Sequence, residues 1–202
     1  MIKMKIQDFK VICICPDHNE KYKKRKEHMT TLLEGIGFKD IVHYKSSSVN
    51  YPQCLTLANI DILTKYNDEP FLLIEDDVEF TGIDTFDYVP TADAIYFGVS
   101  RSGGHPTQNV HLGGCKIVNY SINQVRIMNM LTTHAILYIS QRYKNAVIQQ
   151  LKQNITSHSD VMISRIQPQF TILANKKPSF YQSAKFNGGN QNIQKHTLIV
   201  FN

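Results

Sequence analysis

The chain has 202 residues, enough to bury a substantial core, and reads as one domain spanning residues 1–202. Hydrophobic residues make up 42% and charged residues 19%, an ordinary globular balance, and no apolar run approaches the ~20 residues that would span a bilayer. The formal net charge of +5 suits anionic ligands such as nucleotides without marking a nucleic-acid binder, and the opening MIKMKIQDFK lacks the apolar core of a secretion signal, so a cytoplasmic location is expected.

Phe9–Cys15 is apolar almost throughout and reads as a first strand buried on both faces, as in parallel sheets. A turn-like Pro-Asp-His-Asn-Glu cluster follows. Lys24–Gly35 then reads as a helix with Met29, Leu32, Leu33 and Ile36 on one side, closed by glycine. The basic run from Lys21 to Lys26 is a solvated face or a source of phosphate attraction. Ile41–Tyr44 is a short second strand, Lys45–Gln53 a serine-rich loop, and Leu55–Tyr66 a helix with Leu55, Ala58, Ile62 and Leu63 recurring at helical spacing. Phe71–Ile74 is a third strand. Three strand–helix repeats in sequence argue for an open, mostly parallel α/β sheet flanked by helices.

Ala94–Val99 is a fourth strand, and Arg101–Gly114 a long polar, glycine-rich loop. Gln124–Leu131 and Ala135–Ile139 read as paired strands or as a strand and a short turn, Gln141–Asn154 as an amphipathic helix, Ser157–Ile166 as a short helix and Phe170–Ala174 as a strand. From Asn175 onward the chain is polar and irregular, with a flexible tail expected from about residue 186. The cysteines Cys13, Cys15, Cys54 and Cys115 include no C-x₂-C zinc pair; Cys13 and Cys15 alternate on one side of the first strand and read as small buried residues of a reducing compartment.

The third strand runs straight into three carboxylates, Glu75, Asp76 and Asp77. Packing alone gives little reason for three adjacent like charges after a buried strand, whereas a hard divalent cation offsets their repulsion and keeps open positions for phosphate oxygens. On an extended segment Glu75 and Asp77 project to one side and Asp76 to the other. Ligands of open α/β sheets bind outside the carboxyl ends of the strands. There the loops after Cys15, Tyr44, Ile74 and Val99 would gather Asp17, Ser46 to Ser48, the acid triplet and Arg101. Asp160 reads as a helix-capping residue or a proton acceptor, and His158 as a surface residue. His134 reads as a hydrogen-bonded core histidine, while His105 and His111 flank the long loop. No glycine cluster has phosphate-loop or dinucleotide spacing.

FLLIEDDVEF (Phe71–Phe80) resembles the "LEDD" segment of the lipooligosaccharide-type glycosyltransferases, a family that includes bacterial and collagen galactosyltransferases. Cys54–Leu63 is similar to the family's "GCALSH" helix, Asp93–Gly98 to its "DIIYLG" strand, Thr133–Ser140 to its "GTHAYLIS" strand and Pro178–Ser183 to its ending. The resemblance implies a GT-A fold, a nucleotide-diphospho-sugar donor, most simply a UDP-sugar, and Mn²⁺ or Mg²⁺. It implies Asp77, Glu75 and a late histidine, His196, as metal ligands. At the strand ends Cys15, Pro16, Asp17, Ser47, Glu75, Asp76 and Arg101 would contact such a donor, and Asp160, which stands where the family carries an Asp, is the candidate catalytic base for inverting transfer of a hexose. The acceptor would be a glycan, a hydroxylated protein side chain or a hydroxylated DNA base. The alternatives are a nucleotidyltransferase, whose acids also stand at strand ends, and a non-catalytic sugar-nucleotide or glycan-binding module.

Overall fold

The structure, a computed structural model, describes residues 2–47, 49–108, 111–183 and 185–186. The amino-terminal half alternates strands with helices: β1 (Ile2–Lys5), β2 (Lys10–Ile14), α1 (Glu20–Ile36), β3 (Ile41–Tyr44), α2 (Gln53–Lys65), β4 (Phe71–Glu75) and β5 (Val78–Phe80). Short strands then predominate: β6 (Thr85–Tyr88), β7 (Ala94–Tyr96), β8 (Ser102–Gly104), β9 (His111–Gly114), β10 (Ile117–Asn119), β11 (Gln124–Ile127) and β12 (Ala135–Tyr138). Helices α3 (Gln141–Lys152) and α4 (Ser159–Ser164) and strands β13 (Ile172–Asn175) and β14 (Phe180–Gln182) complete it.

Eight strands form the central sheet in the order β10-β11-β13-β7-β12-β4-β2-β3. Strands β3, β2 and β4 run parallel, and β7 runs parallel to β13, whereas β12 lies antiparallel between β4 and β7. The expected mostly parallel α/β sheet is therefore a mixed one. The expected pairing of the Gln124–Leu131 and Ala135–Ile139 segments is also corrected: β11 pairs with β10 and β13, β12 inserts between β4 and β7, and two strands, β13 and β7, separate them. All four β12 residues are buried, so its sequence carries no period-two signal to name its partners. Within the Arg101–Gly114 loop, β8 and β9 form an antiparallel ribbon, and after Asn175 β14 pairs with β5, so that stretch is less irregular than its composition suggests.

Strand residues alternate between two cores. Ile12, Ile14, Phe71, Leu73, Ile136 and Tyr138 pack under α2, α3 and α4. Val11, Cys13, Cys15, Leu72, Ile74 and Leu137 pack on the other face with Met29 and Leu33 of α1. The α1 stripe is Arg25, Met29 and Leu33, one residue per helical turn, and the helix begins four residues earlier than its apolar periodicity suggests because the Asn19 side chain caps it, accepting from the Tyr22 amide. Gly37 ends it in the left-handed conformation at φ 99°. Among the described residues no helix is long and apolar enough to cross a membrane.

Candidate functional site

At the carboxyl ends of β2, β3 and β4 lies a cavity of about 680 Å³, the size class of small-molecule sites. The acid triplet stands in its wall. The β4 ladder ends at Glu75, and Asp76 and Asp77 form a tight turn into β5. That turn breaks the strand alternation, so the expected pairing of Glu75 with Asp77 opposite Asp76 does not hold. Asp76 Oδ1 accepts from Arg25 Nη1 at 2.9 Å, and Asp77 Oδ2 lies 4.0 Å from the same nitrogen. Glu75 Oε1 instead accepts from the Thr133 hydroxyl at 2.6 Å.

The electrostatics follow from that wall. Burial, then the Asp77 charge, then Asp160 and Asp76 push the Glu75 carboxyl up to about 8, against the opposing pull of the Thr133 hydrogen bond. Burial also pushes Asp76 up to about 6, although Arg25 opposes it. Asp76 Oδ2 is buried with no hydrogen-bond partner among the described residues. Asp160 reaches the cavity from the first turn of α4, and burial raises it despite the Val161 amide donating to Oδ1 at 2.8 Å. The start of α4 is tied to α2: the buried Thr56 hydroxyl donates to the Ser157 carbonyl at 3.0 Å and meets Ser159 Oγ at 3.0 Å.

Four carboxyls (Glu75, Asp76, Asp77, Asp160) and a single guanidinium, that of Arg25, line the cavity among the described residues. An anionic diphosphate entering such a wall meets net repulsion unless a cation accompanies it. The ligand oxygens of the acid triplet do not fall within one coordination shell of one another; among the described residues the only three-donor cluster is elsewhere. The donor set fits a hard cation held by one or two carboxylates, Asp77 and Glu75, and completed by water and phosphate oxygens, which is how Mg²⁺ is usually bound.

Of the other residues expected here, Pro16 and Ser46 line the cavity. Cys15 is buried on the α1 side of β2, Asp17 is turned to Lys45 Nζ at 2.8 Å, Ser47 lines a separate smaller hollow beside α2, and the exposed Arg101 is absent from the wall. Strand alternation accounts for Cys15, since Ile14 and Pro16 take the cavity side. The flanking His105 accepts from the Thr107 and Gln108 amides within its own turn. His196 and the side chain of His111 lie outside the described residues. His134 is indeed buried and hydrogen-bonded, to Thr132 Oγ1, and it also lines the cavity; burial lowers it to about 4, so it is a neutral imidazole. Its ring is packed against Gly98, where a Cβ would come within 1.9 Å of Nε2.

Sequence reading missed Arg25, Thr133 and Tyr51. Arg25 carried a signal: it falls on the Met29–Leu33 stripe and so faces inward rather than with the solvated basic run. Tyr51 Oη, at the rim, lies 3.0 Å from His158 Nδ1, and no pattern in the serine-rich loop marked it.

No family model and no curated protein matches the chain. Among solved structures, an apo UDP-glucose pyrophosphorylase is similar at 9% identity and a TM-score of 0.48, over 90% of this chain and 79% of that one. A UTP-bound UGPase from Acinetobacter baumannii shows 10% identity and a TM-score of 0.41 over 82% and 69%. A nucleoside-diphosphate-sugar pyrophosphorylase from Vibrio cholerae shows 10% identity and a TM-score of 0.43 over 81% and 70%. At these identities and TM-scores the likenesses carry nothing over to this chain's function.

Proposed function

We propose that the chain is a metal-dependent glycosyltransferase with a GT-A fold, taking a nucleotide-diphospho-sugar, a UDP-hexose in the simplest case, and passing the sugar to an acceptor hydroxyl with inversion. The observation that carries the reading is the pairing, in one cavity, of an acid turn at the end of β4 with a separate half-buried carboxyl, Asp160. The placement of β12 antiparallel between β4 and β7, in a mixed sheet whose β3, β2 and β4 run parallel, supports the fold assignment.

Asp77, with Glu75, would hold Mn²⁺ or Mg²⁺, which when bound supplies positive charge to the leaving diphosphate. Asp160 is then the base. Its burial makes the carboxylate more basic, so it takes the proton of the acceptor hydroxyl as that oxygen bonds to the anomeric carbon and the nucleoside diphosphate departs. Arg25 holds Asp76 and so fixes the turn that presents Asp77. The acceptor classes are those expected from sequence: a glycan, a hydroxylated protein or a hydroxylated DNA base.

Nucleotidyl transfer is the second reading, since carboxylates at a strand end serve it equally. It joins two polyanions, however, and its phosphate nucleophile is already ionised and has no use for a base such as Asp160. The single cationic side chain of the described wall favours glycosyl transfer. Product analysis with UDP-hexose and Mn²⁺ separates the two. Metal-dependent release of UDP, lost on Asp160→Asn by about 10²-fold or more while donor binding persists, supports the transferase. UTP formed on adding pyrophosphate supports nucleotidyl transfer, and binding without turnover supports a non-catalytic module.

A further inference from the structure

On the face of β2 away from the cavity, Cys13 and, one residue past the strand's end, Cys15 project together into the α1 layer, the Cys15 amide still donating to the Tyr44 carbonyl of β3. Their sulfurs are 3.0 Å apart. His43, in register with Cys13 on the neighbouring β3, brings Nδ1 to 3.7 Å from Cys15 Sγ. The donor atoms of all three lie within 4.8 Å of one another.

The imidazole is oriented by its other nitrogen. The Thr30 hydroxyl on α1 donates its one proton to the Lys26 carbonyl at 2.9 Å, so toward His43 Nε2, 3.2 Å away, it can only accept. The proton therefore resides on Nε2, and Nδ1 turns an unprotonated lone pair toward the two sulfurs. A metal-ligating histidine is held in this way, its outer N–H fixed by a second partner. Burial, together with Lys26, keeps the ring neutral.

We propose that Cys13, Cys15 and His43 form a binding site for a thiophilic d¹⁰ cation, Zn²⁺ in the first instance, separate from the carboxylate cavity. A tetrahedral Zn²⁺ with bonds of about 2.3 Å to sulfur and about 2.0 Å to nitrogen sets sulfur and nitrogen donors about 3.5 Å apart and two sulfurs about 3.8 Å apart. The Cys15–His43 separation already matches, and the sulfurs need to open by about 0.8 Å, a small side-chain rotation. Each thiol releases its proton to solvent on ligation, and a water entering beside the half-buried His43 fills the fourth position. Without a cation, burial, the neighbouring sulfur and the Asp76 and Asp77 charges hold Cys13 as the thiol. The ion would fasten β2 to β3 and, through Thr30, to the helix that carries Arg25.

Cobalt titration of the reduced full-length chain tests this, because Co²⁺ bound by thiolate absorbs through sulfur-to-metal charge transfer and Co²⁺ bound by carboxylates alone does not. The expected result is a charge-transfer band saturating at one Co²⁺ per chain and displaced by one equivalent of Zn²⁺. The band should vanish in Cys13→Ser and Cys15→Ser, need about ten-fold or more Co²⁺ in His43→Gln, and persist in a Cys54→Ser, Cys115→Ser double variant. Absence of the band in folded, reduced wild-type protein overturns the proposal. So does its loss in the double variant, which keeps the test decisive if the buried serine variants do not fold.

Discussion

Arg25 lies with its side chain 9% exposed beside a carboxylate, that of Asp76, exposed by 10%. Removing one member of such a pair leaves a buried charge uncompensated, at a cost of about 3–5 kcal/mol. Arg25→Met should therefore lower stability by about that much in urea unfolding at pH 7.5, and Asp76→Asn added to it should restore part of the loss; a loss below about 1 kcal/mol would mean that the pair holds nothing. Glu75 gives a pH dependence. Its folded-state carboxyl, at about 8, is raised above its ordinary value of 4.5. Its stabilising contribution is thus fully present below about 4.5 and is lost as pH rises through about 8. The metal-free chain should lose stability across that window, and Mn²⁺, by displacing the proton, should bind more tightly and restore more stability at pH 8 than at pH 6; metal-titrated thermal melts at the two pH values read this directly. The acids were legible in the sequence because three like charges after a buried strand have no packing explanation. Which acid meets which partner was not, because it depends on Thr133 and Arg25, 58 and 51 residues away along the chain.

At the scale of elements, α4 is only six residues long and is held by α3, β8 and α2. The Thr56 hydroxyl is the buried link between α2 and α4. Thr56→Val keeps the shape and removes the hydrogen bonds, leaving the Ser157 carbonyl without this donor, and should cost about 1–3 kcal/mol of stability. Because Asp160 follows Ser159 directly, the same change should lower kcat more than it alters donor affinity, as steady-state kinetics with the donor would show. An unchanged kcat would detach Asp160's position from α2. The helices themselves were legible to within a few residues from apolar spacing, and the caps account for the differences: Asn19 extends α1 backward, and Ser140 starts α3 where the sequence places it. The contact between α2 and α4 joins residues about a hundred positions apart, and no local pattern encodes it.

For the molecule as a whole, the strand–helix alternation of the first half was sufficient to expect an open sheet with its site at the strand ends. The cavity lies there. The second half was harder to read because its strands are three or four residues long, and β12 enters the sheet reversed, between β4 and β7, which both precede it in the chain. Net charge also pointed only part of the way: the chain carries +5 overall, yet four carboxyls face one Arg in the cavity wall among the described residues. That contrast is why an anionic nucleotide-sugar and a divalent cation should bind as a pair and neither well alone. The direct measurement is the thermal melt of wild type and Asp77→Asn with UDP-hexose, Mn²⁺, or both. A ligand at about a hundred times its dissociation constant stabilises by about 2.7 kcal/mol, a rise in Tm of roughly 5–10 °C for a chain of this size. The expected result is that rise in wild type with donor and Mn²⁺ together, little with either alone, and little in Asp77→Asn under any condition. Equal rises with and without Mn²⁺, or in both proteins, would contradict a metal-bridged nucleotide-sugar site at the end of β4.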